Sequence, residues 1–353
     1  MKIKVFTAFS GYDSQCLALE RLKTHFPDFD YELVGWSEID KYAIQAHNAL
    51  FPQWADRNYG DITKIDWSQV PDFDLFTYSS PCQDFSNAGL QKGGEEGSGT
   101  RSSLLWECKR AIVAKRPKYL LLENVKGLVS KKFLPLFGKW VSFLEDFGYY
   151  CTWQVLNAKD YGVPQNRERV FLVSIRRDLL DQTPTYSFPK PFPLEKRLKD
   201  VLENKVDEKY YLSDKTVQAF QEHCEKKQAE GCGFKFEPTT GGGKRRASHH
   251  EAEVERPTTT LNVKIQGRVN NSQDGLGATG VQHGYRIRKL TPKECFRLMG
   301  VDDKDIDTIQ SAGISNSQMY KMAGNSIVVD TLYHLMRKMF CETENEQQQM
   351  TLF

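Results

Sequence analysis

The stretch "YSSPCQDFSNAG" places a cysteine, Cys82, directly after a proline, where an apolar strand pattern gives way to a glycine- and serine-rich loop. A second reactive residue, Glu123, follows another apolar run, "KYLLL". A lone cysteine is usually a small buried apolar residue, and a lone glutamate at a strand end is usually solvated. A thiol beside a carboxylic acid from a neighbouring strand is instead a nucleophile next to a proton donor. Such a pair suits attack on an electron-poor ring.

Three further polar positions predict a nucleoside-containing cofactor. In "FSGYDS", Gly11 allows a tight turn into a helix that Asp13 or Ser14 can cap. Glu38, 27 residues after Gly11, would accept hydrogen bonds from ribose hydroxyls. Asp61, interpreted as the carboxylate after a third strand, would accept from an adenine amino group, with the following isoleucine against the ring. The loop lacks GxGxxG, which favours a cofactor without phosphates. Each position also has a structural interpretation, as a plain turn, a helix-entry carboxylate and an N-cap respectively.

The elements that must position these residues alternate along the first half of the chain. Strand patterns end at the polar residues and helical patterns follow them, which predicts right-handed crossovers and a parallel sheet covered on both faces. The pattern breaks near residue 176, where "TPTYSFPKPFPLEKR" resembles a linker. The predicted strands and helices are, in order, "KIKVFTAF", "SQCLALERLKTHF", "YELVGWS", "KYAIQAHNAL", "FDLFTYS", "SLLWECKRAIVAK", "KYLLLENV", "FLPLFGKWVSFLEDF", "YCTWQVLN" and "RVFLVSI".

Composition limits the classes of protein to consider. With 353 residues, 39% of them hydrophobic, the chain can bury a substantial core. The net charge is only +2, but residues 235–300 carry 12 Lys and Arg against 6 Asp and Glu, so a polyanion is a reasonable partner for that segment. The sequence has no apolar run long enough to span a bilayer and no secretory signal. Eight irregularly spaced cysteines argue against a disulfide framework and against a metal site. A cytoplasmic protein is expected.

Five sequence blocks carry a resemblance to a known family. "SSPCQDFS", "LLLENV", "YGVPQNRERVFLVSI", "RKLTPKECFRLMG" and "MYKMAGNSIVV" resemble, in order, the motifs of the DNA cytosine-5 methyltransferases. The resemblance covers the chain apart from about residues 180–285. It implies an α/β, Rossmann-like fold of the S-adenosylmethionine-dependent methyltransferases, with a mostly parallel sheet covered by helices on both faces and a smaller irregular target-recognition domain. The implied divisions are a catalytic domain at 1–185, the target-recognition domain and hinge at 186–314, a returning helix at 315–340 and a polar tail at 341–353.

Site residues follow from the resemblance, position by position. It makes Cys82 the nucleophile and Glu123 the acid, and it places Arg167 and Arg169 near a flipped base, Arg169 being the better placed to touch it. The loop "FSGYDS" departs from the family's common "FAGIGG", since Asp13 and a serine replace two glycines, and "SSPC" departs from a glycine and an apolar residue before Pro-Cys. The residues implied to surround S-adenosylmethionine are Phe9, Gly11, Tyr12, Asp13, Glu38, Ile39, Asp61, Ile62, Pro81, Asn325 and Ser326.

The implied activity is sequence-specific methylation of carbon 5 of a flipped-out cytosine in double-stranded DNA through a covalent Cys82 adduct, by a monomer of the restriction-modification type. The loop after Cys82 would close over the extruded base. Residues Lys244, Arg245, Arg246, Lys264, Gln266 and Arg268 would recognise base edges, and Thr260 and Leu261 resemble a pair common in the target-recognition domain. Two alternatives remain open: an RNA (tRNA) cytosine-5 methyltransferase on the same fold, and a DNA-binding protein with an idle site.

The C-terminal tail suggests a further partner. The chain ends in Gln349-Met350-Thr351-Leu352-Phe353, which resembles the short motif by which bacterial replication and repair proteins bind the sliding clamp. The alternative is that Leu352 and Phe353 fold back onto their own domain.

Overall fold

The computed structural model describes residues 1–81, 101–180, 186–215 and 286–341, with short pieces at 218, 222, 258–259 and 280–283. Cys82 and the loop that follows it lie outside the described residues. So do the predicted base-reading side chains, the Thr260–Leu261 pair and the C-terminal pentapeptide.

The helices and strands follow the predicted alternation through residue 176. The strands are β1 (Lys2–Ala8), β2 (Asp30–Ser37), β3 (Leu75–Tyr78), β4 (Tyr119–Val125), β5 (Tyr149–Asn157), β6 (Gln165–Asn166), β7 (Glu168–Arg176), β8 (Thr258–Thr259), β9 (Gly280–His283) and β10 (Arg286–Lys289). The helices, numbered in chain order, are α1 (Ser14–His25), α2 (Lys41–Leu50), α3 (Glu107–Lys115), α4 (Leu134–Asp146), α5 (Pro292–Arg297), α6 (Asp303–Ser311), α7 (Asn316–Asn325) and α8 (Val329–Phe340).

A six-stranded sheet in the order β2-β1-β3-β4-β7-β5 forms the centre of the described part of the chain. Strands β1 to β4 are parallel, whereas β7 runs antiparallel to both β4 and β5. The mostly parallel sheet is therefore confirmed, with an antiparallel hairpin at one edge. Parallel strands joined by helical crossovers end at the same sheet edge, which gathers the residues after β1, β2, β3 and β4.

The sheet is covered on both faces because successive side chains point to opposite sides. Val5 belongs to the apolar cluster beneath α1, α2 and α5 to α8, whereas its neighbour Phe6 belongs to the cluster beneath α3 and α4. The first cluster also contains Phe296 and Ile306 from α5 and α6. Residues 290–314, predicted to belong with the target-recognition domain and hinge, thus contribute to the core shared with the first domain. The predicted returning helix is two helices, α7 and α8.

A buried ion pair fixes the chain where it returns to this core. The guanidinium of Arg288, at the end of β10, donates to both carboxylate oxygens of Glu294 in α5, at 2.8 and 2.7 Å. Glu294 also accepts from the backbone N–H of Thr291, in a capping box that begins α5. A buried charge is tolerated when an opposite charge is paired with it, whereas removing one partner is strongly destabilising.

One predicted strand-end position is wrong: Asp61 is predicted after a third strand, but β3 begins only at Leu75 and Asp61 instead begins a short 3₁₀ turn. The strand predicted as "KYLLLENV" is confirmed, and Glu123 lies within it, two residues before β4 ends at Val125. Among the described residues, no helix has the length and apolar character needed to cross a membrane.

Candidate active site

Glu123 lies buried between two side chains that contact its two carboxylate oxygens. Ser79, immediately after β3, donates its hydroxyl to Oε2 at 2.5 Å. Arg169, on β7, places Nε 3.1 Å from Oε1. Because β4 and β7 are antiparallel, Arg169 is paired with Val125 and thereby lies beside Glu123. The structure therefore brings Glu123 and Arg169 together, a contact that the sequence did not predict.

The side chain of Arg167 contacts the end of α7. Its guanidinium is buried and donates from Nη2 to the backbone carbonyls of Gly324, at 3.1 Å, and Ser326, at 2.7 Å. These contacts join the start of β7 to the end of α7, where the predicted cofactor residues Asn325 and Ser326 lie. Arg167 thus orients this segment, whereas Arg169 contacts the proposed acid.

The loop between β1 and α1 has an unusual backbone. Phe9, Gly11 and Asp13 have φ angles of 56°, 60° and 70°, in the left-handed region that disfavours residues with a Cβ. Asp13 caps α1 by accepting from the backbone N–H of Cys16 at 3.1 Å, as predicted for this turn. Its side chain is fully buried, so any part that it plays in cofactor binding would be exerted through the loop backbone.

Glu38 joins the ends of β1 and β2. Its Oε2 accepts from the backbone N–H of Gly11 at 2.9 Å, and its Oε1 accepts from the backbone N–H groups of Ile39 and Asp40. Asn58 fixes the backbone of Glu38 by accepting from its N–H and donating to its carbonyl. The carboxylate is half-buried and held at the sheet edge, where a polar ligand can reach it.

The neighbouring predicted residues differ in exposure. Ile39 is 72% exposed, which is unusual for a large apolar side chain and leaves a surface that a flat ring could cover. Asp61 accepts from the hydroxyl and the backbone N–H of Thr63, and these hydrogen bonds lower the pKa of Asp61. Ile62 is buried, and Pro81 is half-buried at the last described position before Cys82.

A segment near residue 12 and a segment near residue 326 meet at the same edge of the sheet. The hydroxyl of Tyr12 donates to Ser326 Oγ at 2.9 Å, although the two residues are 314 positions apart. Burial raises the pKa of Tyr12, so it remains a neutral donor. Asn325 is exposed beside this contact. The structure therefore gathers the predicted residues after β1 and β2 and those at the end of α7.

Four of the five described cysteines lie in environments that disfavour a nucleophilic thiolate. Burial raises the pKa of Cys151 to about 11, and it raises the pKa of the three other thiols with a resolved shift. The thiolate is the nucleophilic form, so these groups remain unreactive near neutral pH. The buried set is Cys16, Cys108 and Cys295.

Three residues of this region were not predicted from the sequence. The sequence gives no specific signal for Ser79, because a single serine before "SPC" is not a recognisable pattern. Asn58 precedes Gly60 by two positions, a spacing typical of an Asx turn, and this was the available indication. The helical pattern around His47 indicates no role for it, yet the structure buries its side chain fully beside Asp13. No group of three potential metal ligands occurs among the residues that the structure describes.

Solved structures share this fold. An Entamoeba histolytica methyltransferase, EhMeth, has a TM-score of 0.70 and 19% identity, over 96% of this chain and 98% of that one. The Dnmt2 methyltransferase of S. pombe has a TM-score of 0.65 and 17% identity, over 95% and 97%. At these identities the likeness shows the fold, which is that of the S-adenosylmethionine-dependent methyltransferases.

Sequence comparison then gives the family. The model of the C-5 cytosine-specific DNA methylases matches residues 3–341. Type II methyltransferase M2.ScrFI of Lactococcus lactis subsp. cremoris is 36% identical over 96% of this chain and 99% of its own length. Orphan methyltransferase M.SPRI of Bacillus phage SPR is 32% identical over 96% and 97%. The chain belongs to the C-5 cytosine-specific DNA methylase family. The predicted class of enzyme, a DNA cytosine-5 methyltransferase, is thereby confirmed.

Proposed function

We propose that this chain methylates carbon 5 of a flipped-out cytosine at a specific sequence in double-stranded DNA, with S-adenosylmethionine as methyl donor and Cys82 as covalent nucleophile. The observation that carries the proposal is the geometry of Glu123, a buried carboxyl held by Ser79 and Arg169 at the edge where β3 leads into Pro81 and Cys82. This geometry supports Glu123 as the proton donor, because Ser79, which contacts it, lies only three residues before Cys82 in the sequence.

The sheet edge where the residues after β1 and β2 meet the end of α7 is suited to S-adenosylmethionine. The Glu38 carboxylate would accept from the ribose hydroxyls, Ile39 would cover the adenine, and Asp61 would accept from its amino group. The backbone around Gly11 and the α7 end would hold the methionine part. When bound, S-adenosylmethionine supplies an electrophilic methyl group. Because none of these contacts requires a phosphate-binding glycine loop, the "FSGYDS" turn is compatible with this donor.

The residues of the chain would activate an otherwise unreactive carbon. Addition of the Cys82 thiolate to carbon 6, with protonation of ring nitrogen 3 by Glu123, converts the cytosine ring into an enamine with electron density at carbon 5. Arg169 would hold the carboxyl group of Glu123 against the ring. Carbon 5 would then take the methyl group, whose former bonding electrons stay on the donor sulfur. Loss of the carbon 5 proton to a base, expulsion of the Cys82 thiolate and return of the nitrogen 3 proton to Glu123 would restore the aromatic ring. The base must leave the duplex first, at a cost of about a few kcal/mol.

Bisulfite sequencing tests this function directly. DNA from cells that express the chain is expected to carry 5-methylcytosine at one short recurring sequence, and the same cells without the gene are the control. Purified chain should methylate plasmid DNA and leave tRNA unmodified. Preferential methylation of tRNA would favour the RNA alternative, and no methylation of either would favour a DNA-binding protein with an idle site.

A second proposal concerns the C-terminal pentapeptide, residues 349–353. Its Gln and terminal Leu-Phe pair support binding to the bacterial sliding clamp, since two large apolar residues that end a polar tail are suited to a pocket on another protein. Deletion of these five residues is expected to abolish clamp pull-down and to preserve methyl transfer on short oligonucleotides. A deletion variant that retains full clamp binding would contradict the proposal.

A further inference from the structure

Asp13 and His47 form a buried pair beneath the two loops assigned to the cofactor. His47 Nε2 lies 3.5 Å from Asp13 Oδ2, and both side chains are 0% exposed. This separation exceeds a normal hydrogen bond, and both ring nitrogens of His47 are buried without a hydrogen-bond partner in the described structure. Buried polar groups of this kind are costly unless a complementary charge lies nearby. The carboxylate of Asp13 lies beside one of these two nitrogens.

The Asp13 carboxylate also organises its own loop. Its Oδ2 accepts from the hydroxyl of Thr7 at 2.9 Å, and its Oδ1 caps α1 through the backbone N–H of Cys16. The backbone of Asp13 has a φ of 70°, a conformation that is strained in a residue other than glycine. The contacts of the carboxylate therefore offset strain that a glycine at this position would not have.

His47 provides the connection to the second loop. It lies on α2, and its ring stacks on Trp36 of β2 with centroids 3.7 Å apart and planes 20° apart. Trp36 lies two residues before Glu38. The pair thus joins the β1–α1 loop to the β2–α2 connection from below, and the Gly11 N–H to Glu38 contact joins the same two segments at 2.9 Å.

We propose that Asp13 and His47 are positioning residues for the cofactor, which together set the strained backbone of residues 9–13 and its distance from Glu38. Asp13 and Ser14 stand where a loop of the "FAGIGG" type has two glycines, so the contacts of Asp13 and His47 would set a backbone that those glycines could adopt without strain. The inference rests on the proposed function, because the ligand of these loops is there S-adenosylmethionine. It concerns cofactor binding and leaves the chemistry at Cys82 and Glu123 unchanged.

Calorimetric titration of the purified full-length chain with S-adenosylmethionine tests the pair. Asp13→Asn retains the size of the side chain but removes the charge, and His47→Phe retains an aromatic ring over Trp36 but removes the nitrogens. Each variant is expected to raise the Kd for S-adenosylmethionine by roughly tenfold or more, since small displacements of binding groups are costly, and to leave kcat at saturating cofactor within about twofold. The Kd of the double variant should be no higher than that of the single variant with the higher Kd, because the two residues act as a unit.

Two controls separate positioning from general stability. Leu19→Ala removes a buried side chain from α1, the helix that Asp13 caps, and should lower Tm while keeping the wild-type Kd for S-adenosylmethionine. If Asp13→Asn fails to fold, Asp13→Gly relieves the backbone strain and still removes the carboxylate, so its Kd should rise as well. Wild-type affinity in any folded Asp13 or His47 variant would overturn the inference. A wild-type chain that binds no S-adenosylmethionine would overturn the proposed function and the inference together.

Discussion

Replacement of Cys82 by alanine is expected to abolish methyl transfer, with a loss of at least about 10⁴-fold in kcat, because the covalent route to an activated carbon 5 disappears. The remaining residues could still bind DNA and cofactor, so the KM for each substrate should change little. Methyl transfer from labelled S-adenosylmethionine to plasmid DNA measures the effect.

A mechanism-based trap separates loss of the nucleophile from loss of the fold. DNA that carries 5-fluorocytosine at the target should form a stable covalent adduct with the wild-type chain, because the fluorine at carbon 5 cannot leave as a proton does. Cys82→Ala should form none. Cys151→Ala is the matched control, since burial raises the pKa of that thiol to about 11 and it should trap DNA normally. Turnover by Cys82→Ala at the wild-type rate would remove the covalent mechanism.

The alternation of apolar strand patterns with helical patterns was sufficient to predict the sheet as far as residue 176. It also predicted the edge where Gly11 and Glu38 meet, because parallel strands must end on one side. Asp61 was misplaced for a physical reason: residues 51–74 form 3₁₀ turns and loops between α2 and β3, and no local pattern distinguishes a carboxylate in such a connection from one at a strand end.

Local sequence patterns could not predict the contacts between segments that are distant in the sequence. The contact of Arg169 with Glu123 depends on the antiparallel register of β4 and β7, which turn and strand patterns do not specify. His47 lies at an ordinary position of a helical pattern, and only the folded chain places it against Trp36 and Asp13. In the same way, the family motif places both arginines near the base, and it gives no sign that Arg167 also donates to the carbonyls of Gly324 and Ser326.

Replacement of Glu123 by glutamine is the second change with a large expected effect. Glutamine has nearly the same shape, and its amide can still accept from Arg169 and contact Ser79, so the fold should persist. It cannot deliver a proton to ring nitrogen 3, and loss of a positioned general acid costs about 10²–10⁴-fold in rate. Single-turnover methyl transfer at saturating DNA and cofactor should fall by this amount, while the Kd for target DNA stays close to the wild-type value.

The contrast with Arg169 makes the experiment specific. Arg169→Lys retains a positive charge but loses the planar guanidinium whose Nε contacts Glu123 at 3.1 Å, so it should displace the carboxyl group without removing it. We therefore expect a smaller fall in rate for Arg169→Lys than for Glu123→Gln. In the double variant the two losses should not add, because a lysine has no carboxylate left to hold. A single-turnover rate for Glu123→Gln within about threefold of the wild type would exclude Glu123 as the proton donor and would assign protonation of the ring to another group, since general acid catalysis is worth far more than that factor.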